Sequence, residues 1–160
     1  MKALTIWQPW ASLIMIGAKP YEFRSWMAPR SLVGKRLVIH AGSRAMKSAE
    51  VTNLIDRLTD DELAWSTALH RESALPFLET LRRANQLPLG AGIGTAIVGV
   101  SREGAHIAAE FGATTINYSD RDLHSNFGWP LTDIELWDEP IRMSGKQGLW
   151  NWPDPESVAL

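Results

Sequence analysis

Gly17–Arg24, read GAKPYEFR, ties a helix to a strand and fixes how the two leave their shared turn. The segment before it, Trp7–Ile16 (WQPWASLIMI), is almost entirely apolar and reads as a short buried helix. Pro9 falls near the first helical position, where a missing N–H costs nothing, and Gly17 falls where a left-handed C-cap is wanted. After Pro20 the chain is expected to be extended. Period-two alternation then puts Glu22, Arg24 and Trp26 on one face and Tyr21, Phe23 and Ser25 on the other. Lys19, in the turn, swings over the face that carries Glu22 and Arg24. A lysine, a carboxylate and a guanidinium so placed can bind an anion, orient a base or move a proton. The bland alternative is an ion-pair network that only holds the junction, and surface pairs of that kind contribute little.

The 160 residues fit one domain, 1–160, with enough length to bury a real core. There is no cysteine, which excludes disulfides, thiolate metal sites and cysteine nucleophiles, and a reducing cytoplasm is the expected setting. Lys2 followed by apolar residues mimics a secretion signal, but Gln8–Pro9 interrupts the run and the charged junction follows at once, so no signal is expected. No stretch is long enough to span a bilayer. The net charge of −2 argues against bulk nucleic-acid binding, yet it hides an asymmetry. Residues 1–47 hold eight basic residues and one acid, Glu22, whereas the remaining 113 hold eight basic and seventeen acidic residues. A basic segment on an acidic body suggests a local phosphate-facing surface, unless folding intermixes the two halves.

A first strand is expected at Ala3–Ile6, a second at Tyr21–Trp26 and a core strand at Arg36–His40. From Ala45 to Gln86 the character is helical. Val51, Leu54, Ile55 and Leu58 make one apolar helix face. Thr59–Glu62 reads as a capping box opening a second helix, and Pro76 as the start of a third that ends near Asn85. Strand character returns at Ile93–Ser101, where Gly92, Gly94 and Gly99 suggest bends or close backbone approach. Residues 103–121 are ambiguous between short helix and loop. Trp129–Trp137 and Gly148–Trp152 read as closing strands, with Pro153 and Pro155 ending the order. The sum is an α+β fold, a small β-barrel or curled sheet with an inserted helical segment at about 45–86.

With these segments in place, the chain closely resembles the ASCH domain, a branch of the PUA-like superfamily. The hallmark G-x-K-x-x-E-x-R after a short helix is matched by Gly17, Lys19, Glu22 and Arg24 without departure. The preceding IWQPWASLI, the following RSW, the strand end Ile39–Gly42 (IHAG) and the late run Gly128–Trp152 are similar to the bacterial members. The resemblance implies a PUA-like β-barrel with a cleft between the first helix and the sheet, lined by the motif residues, and it implies RNA binding. Some relatives are enzymes. One group hydrolyses acetylcytidine with a lysine, a threonine and a glutamate, and others cleave RNA. Their lysine corresponds to Lys19, but their threonine falls where this chain has Glu22, so the activating hydroxyl of that mechanism is missing.

Within that frame Lys19 is the candidate ligand-facing cation or general base, Glu22 its orienting partner or proton acceptor, and Arg24 a bidentate holder of phosphate or carboxylate. Trp7, Trp26 and Trp129 are candidates for a cleft wall on which a base could stack, with Trp10, Trp137 and Trp150 assigned to the core. His40, ending a core strand, is either a satisfied structural histidine or a titrating group at the cleft. Lys146 and Gln147, in a glycine-flanked loop, approach the same mouth or form a simple turn. His106 and Glu110 stand at i, i+4, which is weak evidence for a metal; His70 and His124 add nothing. No metal and no cofactor are expected. The leading reading is an RNA- or nucleotide-binding domain, for single-stranded RNA or a modified nucleoside. Its rivals are an amidohydrolase or ribonuclease with Lys19 as base and Glu22 beside it, and a module that captures a peptide carboxylate.

Overall fold

The computed structural model describes residues 1–113 and 127–154. Along the chain these form β1 (Lys2–Ile6), α1 (Trp10–Met15), β2 (Tyr21–Arg24), β3 (Arg36–Ala41), α2 (Ser48–Thr59), a 3₁₀ turn over Ala64–Thr67, α3 (Arg71–Arg83), β4 (Ala91–Val98), β5 (Arg102–Glu103), α4 (Gly104–Glu110), β6 (Phe127–Arg142) and β7 (Leu149–Asn151). β1 and β3 are parallel, Leu4 opposite Ile39, and β7 lies antiparallel on the other side of β1. β4 joins β3 to the long β6. The opening residues of β6 also carry β2, with Glu22 opposite Trp129 and Arg24 opposite Phe127. The order β2-β6-β4-β3-β1-β7 is a mixed sheet curled into a half-barrel, and with the four helices of the described residues the fold is α+β.

The curl follows from irregular registers in β4, at Ile39/His40 on one side and at Gly92/Gly94 and Thr95/Ile97 on the other. Such irregularities bend a strand and deepen its twist. Gly94 allows the bend: a Cβ there would lie 2.4 Å from the Glu135 carbonyl oxygen and 2.6 Å from Met15 Sδ. Only glycine fits between a neighbouring strand and a helix at that distance.

The short α1 is held between two cores. Ala11, Ile14 and Met15 pack on Leu4, Ile6, Leu37, Ile39, Ile93 and Trp129 of the sheet. Leu13 points the other way, into a helical core with Leu54, Ile55, Leu58, Leu78 and Leu81. A six-residue helix is too short to hold itself, so its stability comes from this burial on both faces. Gln8 starts it: its Oε1 accepts the Ser12 N–H at 3.0 Å while its Nε2 donates to Ser12 Oγ at 2.8 Å. The helix therefore begins at Trp10 rather than Trp7.

Two other expectations fail locally. Thr59–Glu62 opens no helix, because Thr59 ends α2 and its hydroxyl donates back to the Ile55 and Asp56 carbonyls. Asp60 Oδ1 instead accepts the Glu62 N–H at 2.9 Å, an Asx turn that leads into the 3₁₀ segment. Pro76 lies inside α3 instead of starting it. The helix is nucleated earlier, where the His70 N–H bonds the Ala18 carbonyl at 2.8 Å and ties α3 to the α1 junction. β6 also begins before Trp129 and runs on to Arg142. Part of the ambiguous 103–121 stretch, His124 and Pro155 lie outside the described residues.

Candidate functional site

The junction after α1 is a Schellman turn. Gly17 has φ +77°, its N–H bonds the Ile14 carbonyl at 3.0 Å, and the Ala18 N–H reaches the Leu13 carbonyl at 3.0 Å. The Lys19 N–H bonds the same Leu13 carbonyl, so the chain reverses tightly and Lys19 is aimed back beside β2. Its side chain is buried, and Nζ donates to Glu22 Oε2 at 3.0 Å and to the Tyr21 carbonyl. The Phe23 ring lies 5.4 Å from Nζ. Glu22 Oε1 is 3.3 Å from Arg24 Nε, an ion pair without hydrogen-bond alignment, and Arg24 Nη2 donates to the Thr5 carbonyl at 3.3 Å. One carboxylate thus neutralises one of two flanking cations.

These three side chains line a cleft of about 730 Å³. Ile6 at the end of β1, Trp7 after it and Trp10 of α1 give it an apolar wall, and Arg57 of α2, Ser66 and Thr67 of the 3₁₀ turn, Lys146 and Gln147 complete the lining. Arg57 is fixed by Ser66, donating through Nη2 to its carbonyl and hydroxyl, both at 2.9 Å. Among the described residues, no acid lies within ion-pair distance of Arg57 or Lys146, and Glu22 is the one acid of the lining. The cleft is therefore cationic inside a protein whose net charge is −2. The basic residues of the first 47 do not all gather here. Lys2, Lys35 and Arg36 line a separate cavity, so folding disperses the charges of that segment.

Of the residues singled out in the sequence, Lys19, Glu22, Arg24, Trp7 and Lys146 reach the cleft, and Gly17 shapes the turn behind it. Trp26, Trp129 and His40 do not. Trp129 is fully buried in the sheet core and is no cleft wall. Its Nε1 donates to the Trp26 carbonyl at 3.0 Å, and the two indoles meet edge to face at 4.8 Å. β2 ends at Arg24, so the alternation that was to carry Trp26 into the cleft stops before reaching it. His40 is 1% exposed, with Nε2 2.6 Å from the Met143 carbonyl, Nδ1 3.2 Å from Thr5 Oγ1, and its ring edge-on to Trp150. A carbonyl accepts only, so Nε2 carries the proton and, in the neutral ring, Nδ1 accepts from the Thr5 hydroxyl. That is a strap behind the cleft, tying the end of β3 to β1 and to the loop before β7.

Trp10, assigned to the core from sequence, packs against both cores and also lines the cleft, and Phe23 lines it too despite its odd place in the alternation. Arg57, Ser66 and Thr67 come from the helical segment and had no sequence signal beyond one: Arg57 borders the Leu54–Leu58 apolar stripe. Tyr21 alternates away from Glu22 to a second cluster. Its hydroxyl donates to Glu110 Oε2 at 2.8 Å and accepts from Arg102 Nη1 at 2.6 Å. Burial pushes the Tyr21 phenol up, and the Glu110 carboxylate adds to it. Burial also pushes Glu110 up, but hydrogen bonds from Arg102 and Tyr21 outweigh it and hold the carboxyl below its usual range. Glu110 is thereby engaged by Tyr21 and Arg102. Among the described residues no cluster of three His, Asp or Glu could hold a metal.

The ASCH domain model matches residues 4–91, and the chain belongs to that family. Among solved structures it is similar to the crystal structure of ASCH from Zymomonas mobilis, with a TM-score of 0.52 at 16% identity over 99% of this chain and 90% of that one. Two point variants of that protein match with a TM-score of 0.51, also at 16% identity and over 99% of this chain, covering 91% and 93% of theirs. At such identity the likeness is one of fold. No curated protein matches the sequence. Among the described residues no helix is long and apolar enough to cross a membrane.

Proposed function

We propose that the chain binds single-stranded RNA or a nucleotide in this cleft, with Lys19, Glu22 and Arg24 as its floor. The observation that carries the reading is the unbalanced charge of the lining: among the described residues Arg57 and Lys146 have no acidic ion-pair partner, and they line the cleft together with two indoles. Cations with donors to spare suit phosphate, and exposed aromatic faces suit a base. A cytoplasmic setting, in keeping with the absence of cysteine, is part of the proposal. Titration with short single-stranded RNAs and 5′-nucleotides, read by tryptophan fluorescence, tests it. Binding by the wild type that drops in Arg24→Gln and in Lys146→Ala is expected; wild-type protein that binds none of these ligands overturns it.

A second reading is hydrolysis of an acylated nucleoside or of RNA, and one observation favours keeping it. Ser66 and Thr67 bring hydroxyls to the cleft that holds Lys19, although Glu22 takes the place of the relatives' threonine. Both hydroxyls already donate to backbone carbonyls, Ser66 to Leu63 and Thr67 to Ala64. Either would have to turn before it could act as a nucleophile. Acetate release from acetylcytidine, or RNA cleavage, abolished in Lys19→Arg while affinity survives, is the outcome that would favour the enzyme, because guanidinium does not give up its proton near neutral pH.

A further inference from the structure

Trp7, Trp10 and Arg57 line the cleft, and the same three residues line a second cavity of about 440 Å³. The two cavities adjoin across a wall of two indoles and one guanidinium. Each falls in the range of roughly 300–1,000 Å³ typical of small-ligand sites. The second cavity is rimmed by Arg44, Glu50 and Asn53.

The dividing wall is held in place. Trp7 is 56% exposed, yet it is pinned: the Arg44 guanidinium sits 4.4 Å from its ring centroid, and Arg44 is anchored in turn by Glu50 of α2. At its edge, Gly42 leaves no room, since a Cβ there would lie 3.1 Å from Trp7 Cδ1. Arg44 lines only the second cavity, so it covers the indole from that side and offers its own planar face there. Arg57 spends Nε and Nη2 on Ser66, and its Nη1 has no partner among the described residues. A cation shared by two cavities, with donors still available, is what a phosphate joining two nucleotides requires.

We infer that the two cavities are adjacent nucleotide subsites of one single-stranded segment. One nucleotide occupies the main cleft against Trp7 and the Lys19–Glu22–Arg24 ladder. Its neighbour occupies the second cavity, its base over the Arg44 guanidinium and within reach of the Asn53 amide, which can both donate and accept. The phosphate between them sits on Arg57. This rests on the nucleotide-binding reading above and narrows it: the ligand is a dinucleotide step in a chain, not a lone nucleoside.

The test compares 5′-AMP with the 5′-phosphorylated adenylyl dinucleotide by calorimetric titration of the full chain. The dinucleotide is expected to bind roughly ten- to a hundred-fold more tightly, the scale of one added stacked base. Ala49→Trp, an exposed position of α2 lining only the second cavity, should abolish that gain and leave AMP binding unchanged. Arg57→Gln should weaken the dinucleotide and reduce its log–log salt slope by about 0.7. If AMP binds but the dinucleotide is no tighter, the second subsite is refuted and the nucleotide reading stands. A gain that survives Ala49→Trp places the second nucleotide elsewhere and refutes it equally. If neither ligand binds, the nucleotide reading itself falls.

Discussion

Replacing Glu22 by glutamine should make the free protein less stable and its cleft more attractive to anions. Glu22 is 8% exposed and its carboxylate is 3.0 Å from Lys19 Nζ and 3.3 Å from Arg24 Nε. Removing one member of a buried ion pair costs about 3–5 kcal/mol, because a charge is left buried and unpaired. Two features here lower that figure. The amide oxygen still accepts from Lys19, and Arg24, with a quarter of its side chain exposed, still reaches water. A loss of about 2–3 kcal/mol is therefore expected, which at about 2–4 °C per kcal/mol lowers the melting midpoint by about 4–12 °C. Binding should move the other way. A unit charge about 6 Å from a phosphate in a wet cleft is worth about 0.7 kcal/mol, so nucleotide affinity should rise about three-fold. Differential scanning fluorimetry with and without a 5′-nucleotide reads both effects: a lower midpoint alone, and a larger ligand-induced rise. An unchanged midpoint would mean that the ladder is not formed. A fall in affinity would mean that the carboxylate contacts the ligand directly, and the assignment of Glu22 as a neutralising floor would be wrong.

Gly17→Ala forces a side chain into φ +77° and should cost about 1–2 kcal/mol, with ligand affinity falling too because the same turn aims Lys19; thermal unfolding and nucleotide titration check it. Gly94→Ala puts a Cβ against the Glu135 carbonyl and should lower the denaturant midpoint by more than Gly17→Ala does. Glu50 is held below its ordinary value chiefly by its hydrogen bond from Arg44, and Glu110 is lowered by Arg102 and Tyr21 against the opposing effect of burial. Depressed carboxyls lend stability that is present above their unfolded values and lost as pH falls through the folded ones. Acid unfolding should therefore begin below about pH 4.5 and be blunted in a Glu50→Gln, Glu110→Gln double variant. Tyr21 is raised, first by burial, so the contribution of its neutral phenol is lost only as pH climbs through that raised value; ultraviolet titration should show one phenol ionising above the ordinary range near 10.

Much of the junction was legible because it is local. A glycine at C′, a proline immediately before a strand and period-two alternation together specify how Lys19, Glu22 and Arg24 share a side, and α2 buries the four residues its spacing selects. The failures lie where local rules meet tertiary context. Trp26 follows β2 rather than belonging to it, so alternation said nothing valid about its side chain. Trp129 reads like any strand aromatic, and only the pairing of β2 with β6 shows that it sits under the sheet with no free face. Arg57, Ser66 and Thr67 were invisible as site residues because the packing of the helical segment on Leu13 and Ala18 brings them to the cleft. Thr59 shows the same limit at smaller scale: a hydroxyl that could have capped the next helix bonds within its own.

The salt dependence of single-stranded RNA binding tests the central claim most directly. If Arg24, Arg57 and Lys146 hold phosphates in this cleft, log affinity against log salt should be linear. Its slope should lie between about −1.4 and −2.8, corresponding to roughly two to four contacts at about 0.7 each. Each of Arg24→Gln, Arg57→Gln and Lys146→Ala should make it shallower by about 0.7. A flat response between low and physiological salt, or a slope that none of these substitutions changes, would contradict the account.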